Sequence, residues 1–168
     1  MKRTLVLIRH AKSSWATPLQ ADYDRPLNDR GNKDAPEMGR RLHKAGLVPD
    51  LIVCSTAVRT RETAKHIAGA TGYDLNNVLW LDKLYHCAPT VFDDVLYELP
   101  DTARVVFIIA HNPGITEFAN TLSRDFYTAD MPTCGIVGST AEVALWADFG
   151  AARKKVILFD YPKNDHDS

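Results

Sequence analysis

The chain has 168 residues, the length of one typical domain, so we expect a single domain over residues 1–168 that folds as a monomer. Apolar residues make up 45% and charged residues 24%, close to the average for soluble globular proteins, which argues against disordered, collagen-like and coiled-coil classes. The 20 basic and 21 acidic residues give a net charge of −1 with neutral histidines, so no global charge excess favours nucleic acid or an anionic membrane.

Short aliphatic segments without a period predict strands that are buried on both faces. There are four of them: Thr4–Ile8, Leu51–Cys54, Val105–Ala110 and Val156–Phe159. The segment Val143–Trp146 predicts a further strand, which forms a hairpin with the last of these or lies beside it at the sheet edge.

Helical patterns lie between these strands. In the first, apolar residues recur at three- and four-residue steps from residue 35 to residue 45, and Gly46 is a typical C-terminal stop. Two N-caps compete for its start. Asn28 would place Pro36 inside the helix, whereas Asp34 places Pro36 in the first turn and costs less, so we predict a start at Asp34.

Three more helices complete the alternation. Ser55 or Thr56 caps the second, the third runs from about Thr90 to Leu99, and the fourth begins with Asn112 as cap and Pro113 as its first residue. Alternating strands and helices predict a three-layer α/β/α sandwich with a mainly parallel central sheet. The ligand site of such a fold lies at the carboxyl ends of the strands.

No segment predicts a membrane span or a signal peptide. The longest apolar run, Val105–Ala110, has six residues, whereas crossing a bilayer takes about 20. The apolar run Leu5–Ile8 is shorter than the roughly 7 to 15 residues of a signal peptide core, so we expect a cytoplasmic protein. The cysteines lack any C-x-x-C spacing and predict buried free thiols without a disulfide or zinc site: Cys54, Cys87 and Cys134.

Polar groups follow three of the predicted strands. Arg9 and His10 follow the first strand, Arg59 follows the second, and His111 with Asn112 follows the Val105 strand. If these strands are neighbours, two arginines and two histidines meet at one mouth and repel one another unless an anion lies between them. The sequence therefore predicts an anion site at this edge of the sheet.

Arg59 carries much of this argument because it lies in the first turn of the second helix, where the helix dipole disfavours a cation by about 0.3 to 1 kcal/mol. A bound phosphate would reverse that cost through charge-assisted hydrogen bonds of about 1.5 to 3 kcal/mol each. The alternative is a surface ion pair of Arg59 with Glu62 or Asp125.

A neutral His10 beside phosphate can attack phosphorus in line and form a covalent phosphoryl enzyme, which water then hydrolyses. Arg9 and Arg59 would lower the pKa of His10 and neutralise the phosphoryl oxygens, and a protonated His111 would add a donor. The alternative for a lone strand-end histidine is a structural role.

Three segments resemble motifs of the histidine phosphatase superfamily, also called phosphoglycerate mutase-like. They are residues 7–11 (Leu-Ile-Arg-His-Ala), 55–64 (Ser-Thr-Ala-Val-Arg-Thr-Arg-Glu-Thr-Ala) and 110–113 (Ala-His-Asn-Pro). Residues 9–15 and 24–31 look more like its small phosphohistidine phosphatase branch, and the resemblance spans residues 4 to about 122.

The resemblance implies a phosphoglycerate mutase-like fold, His10 as the phosphorylated nucleophile, a phosphate pocket of Arg9, Arg59 and His111, and no metal or cofactor. The chain departs from the family at two places. Where many members have Asn, six residues after the nucleophile, this chain has Ala16, so one phosphate contact is missing or is supplied by Ser13. Asn112 is a further predicted phosphate contact. Where many members have a Glu acid after a short apolar segment, this chain reads Leu84-Tyr85-His86.

The missing acid favours a P–N substrate. An alkoxide badly needs a donated proton, whereas an imidazole, whose conjugate acid has a pKa of about 6.5, can leave already protonated. We therefore expect a phosphatase acting on a phosphohistidine-bearing protein, with His86 as a proton donor, a substrate contact or a solvated loop residue.

Other function classes stay open. A phosphomonoesterase or mutase acting on a small phosphorylated metabolite, or a non-catalytic phosphate-binding module, would use the same pocket. A cysteine phosphatase built on Cys54 and Arg59 is disfavoured, because its phosphate loop needs five intervening residues and this chain has four, residues 55–58.

Overall fold

The centre of the fold is a six-stranded sheet with helices on both faces, seen in a computed structural model that describes residues 1–164. Its strands are β1 Lys2–Arg9, β2 Leu51–Cys54, β3 Leu79–Trp80, β4 Val105–Ala110, β5 Ile136–Glu142 and β6 Lys155–Asp160. Its helices are α1 Asp29–Lys44, α2 Val58–Thr71, α3 Thr90–Glu98 and α4 Gly114–Ala119. Short 3-10 turns lie at Asp22–Asp24, Leu75–Asn77, Asp82–Leu84 and Trp146–Asp148.

The strand order is β3-β2-β4-β1-β5-β6, and the first four of these strands run parallel. β5 runs antiparallel to β1, and β6 antiparallel to β5. The mainly parallel sheet is thus confirmed. Its register pairs Arg9 with Ala110 and Cys54 with Ile109, so β1, β2 and β4 end at one edge. The residues that follow these strands are therefore close in space.

Alternate residues of β1 pack into different cores, as expected of a strand buried on both faces. Leu5 and Leu7 join a cluster that includes Phe92 of α3 and Ile115 of α4. On the other face a second cluster contains, among others, Val6, Ile8, Met38, Leu42 and Ile67. Because α1 and α2 cover one face and α3 and α4 the other, the three-layer α/β/α architecture is confirmed.

The predicted start of the first helix at Asp34 is wrong. α1 begins at Asp29, and Asn28 is its cap, with a side-chain oxygen that accepts a hydrogen bond from Gly31 N at 2.9 Å. Pro36 lies inside the helix, where the packing of α1 against α2 offsets the loss of its N–H. Gly31 packs on the carbonyl of Lys12, and a side chain there would collide with that backbone.

The predicted caps of the second and fourth helices are also wrong. Ala57, which has no capping side chain, precedes α2, because the Ser55 and Thr56 hydroxyls bond to His111 and Asp82 instead. α4 begins at Gly114, and the Asn112 side chain accepts a hydrogen bond from the Thr116 hydroxyl rather than from a backbone N–H.

The predicted strand at Val143–Trp146 is wrong as well. β6 pairs with β5, and Trp146 lies in a 3-10 turn. β5 was not predicted because its Gly138, Ser139 and Thr140 are not aliphatic. Cys54 and Cys134 are buried thiols, whereas Cys87 is half-buried. Residues 165–168 of the polar terminus lie outside the described residues. Between residues 1 and 164 no helix combines the length and apolarity of a membrane span.

Candidate active site

Three strand ends bring the predicted polar groups together. His10 follows β1 directly, His111 follows β4, and Arg59 is the second residue of α2 after β2. The ring centroids of His10 and His111 are 5.3 Å apart, and Arg59 Nε lies 3.4 Å from His10 Nε2. All three side chains are buried. Arg59, together with Arg9 and Arg25, whose charges also act on His10, forms a cationic cluster around the His10 imidazole.

The proton of His10 is assigned by its hydrogen bond to the backbone. Its Nδ1 lies 2.7 Å from Ala11 O, and because a carbonyl only accepts, Nδ1 carries the hydrogen. Burial, together with the charges of Arg59, Arg9 and Arg25, lowers the pKa of His10 to about 3 against the opposing Ala11 hydrogen bond. The Nε2 atom that faces Arg59 therefore carries no proton at neutral pH and has a free lone pair.

The guanidinium of Arg59 lies between the His10 imidazole and a carboxylate. Its NH1 donates to Asp22 O at 2.7 Å and its NH2 to Asp22 Oδ2 at 3.0 Å, while its Nε faces His10. Arg59 therefore pairs with Asp22, not with the sequence neighbour Glu62, whose carboxylate accepts from Leu27 N at 2.8 Å.

Arg9 and His111 each have one buried nitrogen without a hydrogen-bond partner among residues 1–164, namely Nε of Arg9 and Nδ1 of His111. Arg9 NH1 donates to Met131 O at 2.7 Å, and His111 Nε2 lies 2.8 Å from Ser55 Oγ. Burial, His10 and Arg59 lower the pKa of His111, so its ring is neutral. The protonated His111 that was considered from the sequence as a further donor is therefore not the form present at neutral pH. These two nitrogens fit the donor set of a phosphate site.

Sequence reasoning missed three residues of the site: Asp22, Arg25 and Tyr85. The Tyr85 hydroxyl donates to Asp22 Oδ2 at 2.6 Å, and Arg25 Nε donates to Asp22 Oδ1 at 3.1 Å. Burial opposes ionisation of Asp22, but the bonds from Tyr85, His86 and Arg59 hold its pKa well below its usual range. Arg25 was noted only as part of the family-like stretch 24–31 and Tyr85 only as the neighbour of His86, while Asp22 was not singled out. No periodicity indicates where a loop folds back.

The remaining predicted residues have protein partners. Ser13 Oγ accepts from Arg25 NH1 at 2.8 Å, and Asn112 Nδ2 donates to Met131 O at 3.2 Å and to Asp130. Their direct phosphate contact stays a prediction. His86 does join the cluster: its Nε2 lies 2.8 Å from Asp22 Oδ2, its side chain is 49% exposed, and its ring stacks on His111 at 5.5 Å.

A surface cavity of about 1120 Å³ lies elsewhere. It is lined by residues 121–126, 150 and 152–156, at the end of the sheet where Lys155 of β6 pairs with Thr140 of β5. That end is opposite to the cationic cluster, because Thr140 also pairs with Thr4 near the start of β1. Of the residues described here, no group of three or more His, Cys, Asp or Glu side chains has the geometry of a metal site.

Comparison with known proteins gives a consistent result. Residues 5–82 match the family model described as histidine phosphatase superfamily, branch 1. An uncharacterized chloroplastic protein of Arabidopsis thaliana is 35% identical over 132 residues, which are 73% of this chain and 60% of that protein. An uncharacterized protein of Mycobacterium tuberculosis is 30% identical over 166 residues, 93% of this chain and 100% of that protein.

Solved structures match the whole fold. A crystal structure assigned as the phosphohistidine phosphatase SixA from Agrobacterium tumefaciens has a TM-score of 0.81 and 25% identity, over 95% of this chain and 98% of that one. A structure with the same assignment from Nakamurella multipartita has a TM-score of 0.81 and 28% identity, over 98% of both chains. The protein histidine phosphatase SixA complexed with tungstate, at 17% identity and a TM-score of 0.80, shares the fold over 95% of this chain and 97% of that one.

Proposed function

Because the chain belongs to the histidine phosphatase superfamily, and is thus a phosphatase, we propose that it removes phosphoryl groups from phosphohistidine through a covalent intermediate on His10. The observation that carries this proposal is the unprotonated Nε2 of His10 beside Arg59 Nε at 3.4 Å, in a buried cationic cluster. Binding phosphate needs cations and amides, but a nucleophilic nitrogen is needed only for covalent chemistry.

The first step is in-line attack of His10 Nε2 on phosphorus. An N–P bond forms while the bond from phosphorus to the leaving group breaks, and the leaving group takes the electron pair. Arg59 and Arg9 neutralise the charge that spreads over the equatorial oxygens. The neutral His111 donates from its unpaired Nδ1, while its Nε2 accepts from the Ser55 hydroxyl. The proton on Nδ1 stays hydrogen-bonded to Ala11 O, which stabilises the cationic ring of the phosphoryl enzyme.

The second step is hydrolysis. Water attacks phosphorus, the N–P bond breaks, and the electron pair returns to His10 Nε2 while inorganic phosphate leaves. These residues provide both the nucleophile and the charge neutralisation, so we propose a metal-independent hydrolase without a cofactor.

The charge state of Asp22 supports a P–N substrate. Asp22 is the carboxyl group bonded to Arg59, and its lowered pKa keeps it ionised at neutral pH, so it has no proton to give to an alkoxide. An imidazole leaving group does not need a strong acid. His86, which lies beside Asp22, is the residue we propose for proton transfer or substrate contact.

The proposed substrate is a phosphohistidine-bearing protein, and the enzyme acts as a cytoplasmic monomer of one domain. The exposure of His86 supports the protein substrate alone, because a macromolecule can reach only a pocket that is open to solvent at its rim. A small phosphorylated metabolite remains the alternative substrate within the same chemistry.

The test is capture of the intermediate. Wild-type protein mixed briefly with ³²P-labelled phosphohistidine and quenched in alkali should retain acid-labile label, whereas His10→Ala should retain none. His66→Ala is a matched control, because His66 lies on α2 and bonds to Asn32. Wild-type protein that binds phosphate but takes up no label would instead be a phosphate-binding module. Faster turnover of an alkyl phosphate than of phosphohistidine would rule out the proposed substrate.

A further inference from the structure

A carboxylate lies within the cationic cluster. Asp22 Oδ2 is 2.6 Å from the Tyr85 hydroxyl, 2.8 Å from His86 Nε2 and 3.0 Å from Arg59 NH2, and Asp22 Oδ1 accepts from Arg25 Nε at 3.1 Å. A site that only bound phosphate would gain nothing from an anion here, since like charges repel. The carboxylate therefore calls for a function.

Burial shows on which side of the phosphoryl group Asp22 lies. The Arg59 side chain is 3% exposed, whereas those of Asp22 and His86 are 40% and 49% exposed. A phosphoryl group attacked by His10 lies at the buried end, and the rest of any substrate extends towards solvent. Asp22 is therefore on the side of the leaving group.

Arg59 contacts both the buried His10 and the partly exposed Asp22. Its Nε faces His10 Nε2, while its NH2 donates to Asp22 Oδ2. When a phosphoryl oxygen takes the NH2 of Arg59, the carboxylate loses that donor and has an acceptor position to fill. A leaving group that carries an N–H satisfies it, whereas an anionic leaving group is repelled.

We propose that Asp22 is a specificity-determining residue, which accepts a hydrogen bond from the N–H of an imidazole leaving group and disfavours substrates whose leaving group is anionic. This inference rests on the proposed function and adds to it the residue that discriminates between leaving groups. Tyr85 and Arg25 position the carboxylate, since each donates to a different one of its oxygens.

The experiment compares two substrates in one preparation of the Asp22→Asn variant, so that the ratio of their kcat/KM values does not depend on the folded fraction. The substrates are phosphohistidine and 4-nitrophenyl phosphate, whose phenoxide leaves as an anion. Loss of one charge-assisted bond should lower the phosphohistidine to 4-nitrophenyl phosphate ratio about tenfold. Asp24→Asn removes a charge from an exposed side chain of the same 3-10 turn and should leave the ratio unchanged.

The outcomes separate the two proposals. An equal change in kcat/KM for both substrates, with acid-labile labelling of His10 intact, means that Asp22 merely competes with phosphate for Arg59 and overturns the specificity role alone. A lowered ratio in Asp24→Asn as large as that in Asp22→Asn also overturns it, because the effect would then be general electrostatics. Absence of label on the wild-type protein overturns the proposed function together with this inference.

Discussion

The active site has two parts that are built differently. We call His10, Arg59 and His111 the floor, and Asp22, Arg25, Tyr85 and His86 the wall. The floor residues are buried and lie at the ends of strands or, for Arg59, in the first turn of the helix that follows β2. The wall residues come from the loop before α1 and from the turn after β3. In the proposed mechanism, strand ends and the helix start after β2 thus fix the nucleophile and the phosphate-binding charges, and loops supply the group that meets the rest of the substrate.

The largest effect should come from the floor. Arg59→Ala removes the guanidinium that we propose to bind phosphoryl oxygens. Two charge-assisted bonds of about 1.5 to 3 kcal/mol each predict a loss of roughly 10³-fold in kcat/KM for phosphohistidine. Steady-state kinetics measure it. Arg61→Ala is the matched control, because Arg61 is an exposed arginine of the same helix. A similar loss in both variants would contradict the assignment of phosphate binding to Arg59.

The next effect concerns stability and pH. Burial of His10 lowers its pKa from 6.5 to about 3. Between pH 6.5 and pH 3 the unfolded chain therefore binds a proton on His10 that the folded protein does not bind. Stability contributed by this group is present above pH 6.5 and is lost as the pH falls, by up to about 1.4 kcal/mol per unit, or tenfold in the folding equilibrium.

Urea unfolding at pH values between 6.5 and 4.5 measures this slope. The slope should be smaller in His10→Asn than in the wild-type protein, by up to one proton per molecule. Equal slopes would mean that the ring is protonated in the folded protein, and the floor would then lack a nucleophile at these pH values.

The smallest effect should come from the wall. Tyr85→Phe removes one hydrogen bond to Asp22 Oδ2 without changing any charge, so we expect a decrease of about three- to tenfold in kcat/KM for phosphohistidine. The exposed Tyr97 of α3 provides the control variant Tyr97→Phe, which should be indistinguishable from wild type. A drop as large as that of Arg59→Ala would erase the distinction between floor and wall.

The same division explains what the sequence could predict. His10 and His111 follow aliphatic segments that read as buried strands, and parallel pairing brings their ends together, so their proximity follows from the fold class. The predicted helix starts were wrong for two reasons. Ser55, predicted as a cap, bonds to His111 of the site instead. Asn28 caps α1 although this places Pro36 inside the helix.

The wall was beyond such reasoning. Asp22 meets Arg59 across 37 residues and Tyr85 across 63, and neither contact leaves a periodic trace in the sequence. β5 was missed for a related reason, since its Gly138 and Ser139 are buried without being aliphatic. Long-range pairing, rather than local propensity, decides both.

Gly31 lies in the first turn of α1 and contacts the loop that follows His10. The first turn of α1 rests on the carbonyl of Lys12, two residues beyond His10, and the Asn28 N–H donates to that same oxygen at 3.0 Å. A methyl group at residue 31 would push the loop that bears the reactive imidazole. A saturation-mutagenesis library would therefore mark this glycine as intolerant, although it touches no phosphate, and protein engineers grafting the site onto another scaffold must transplant the helix start with it.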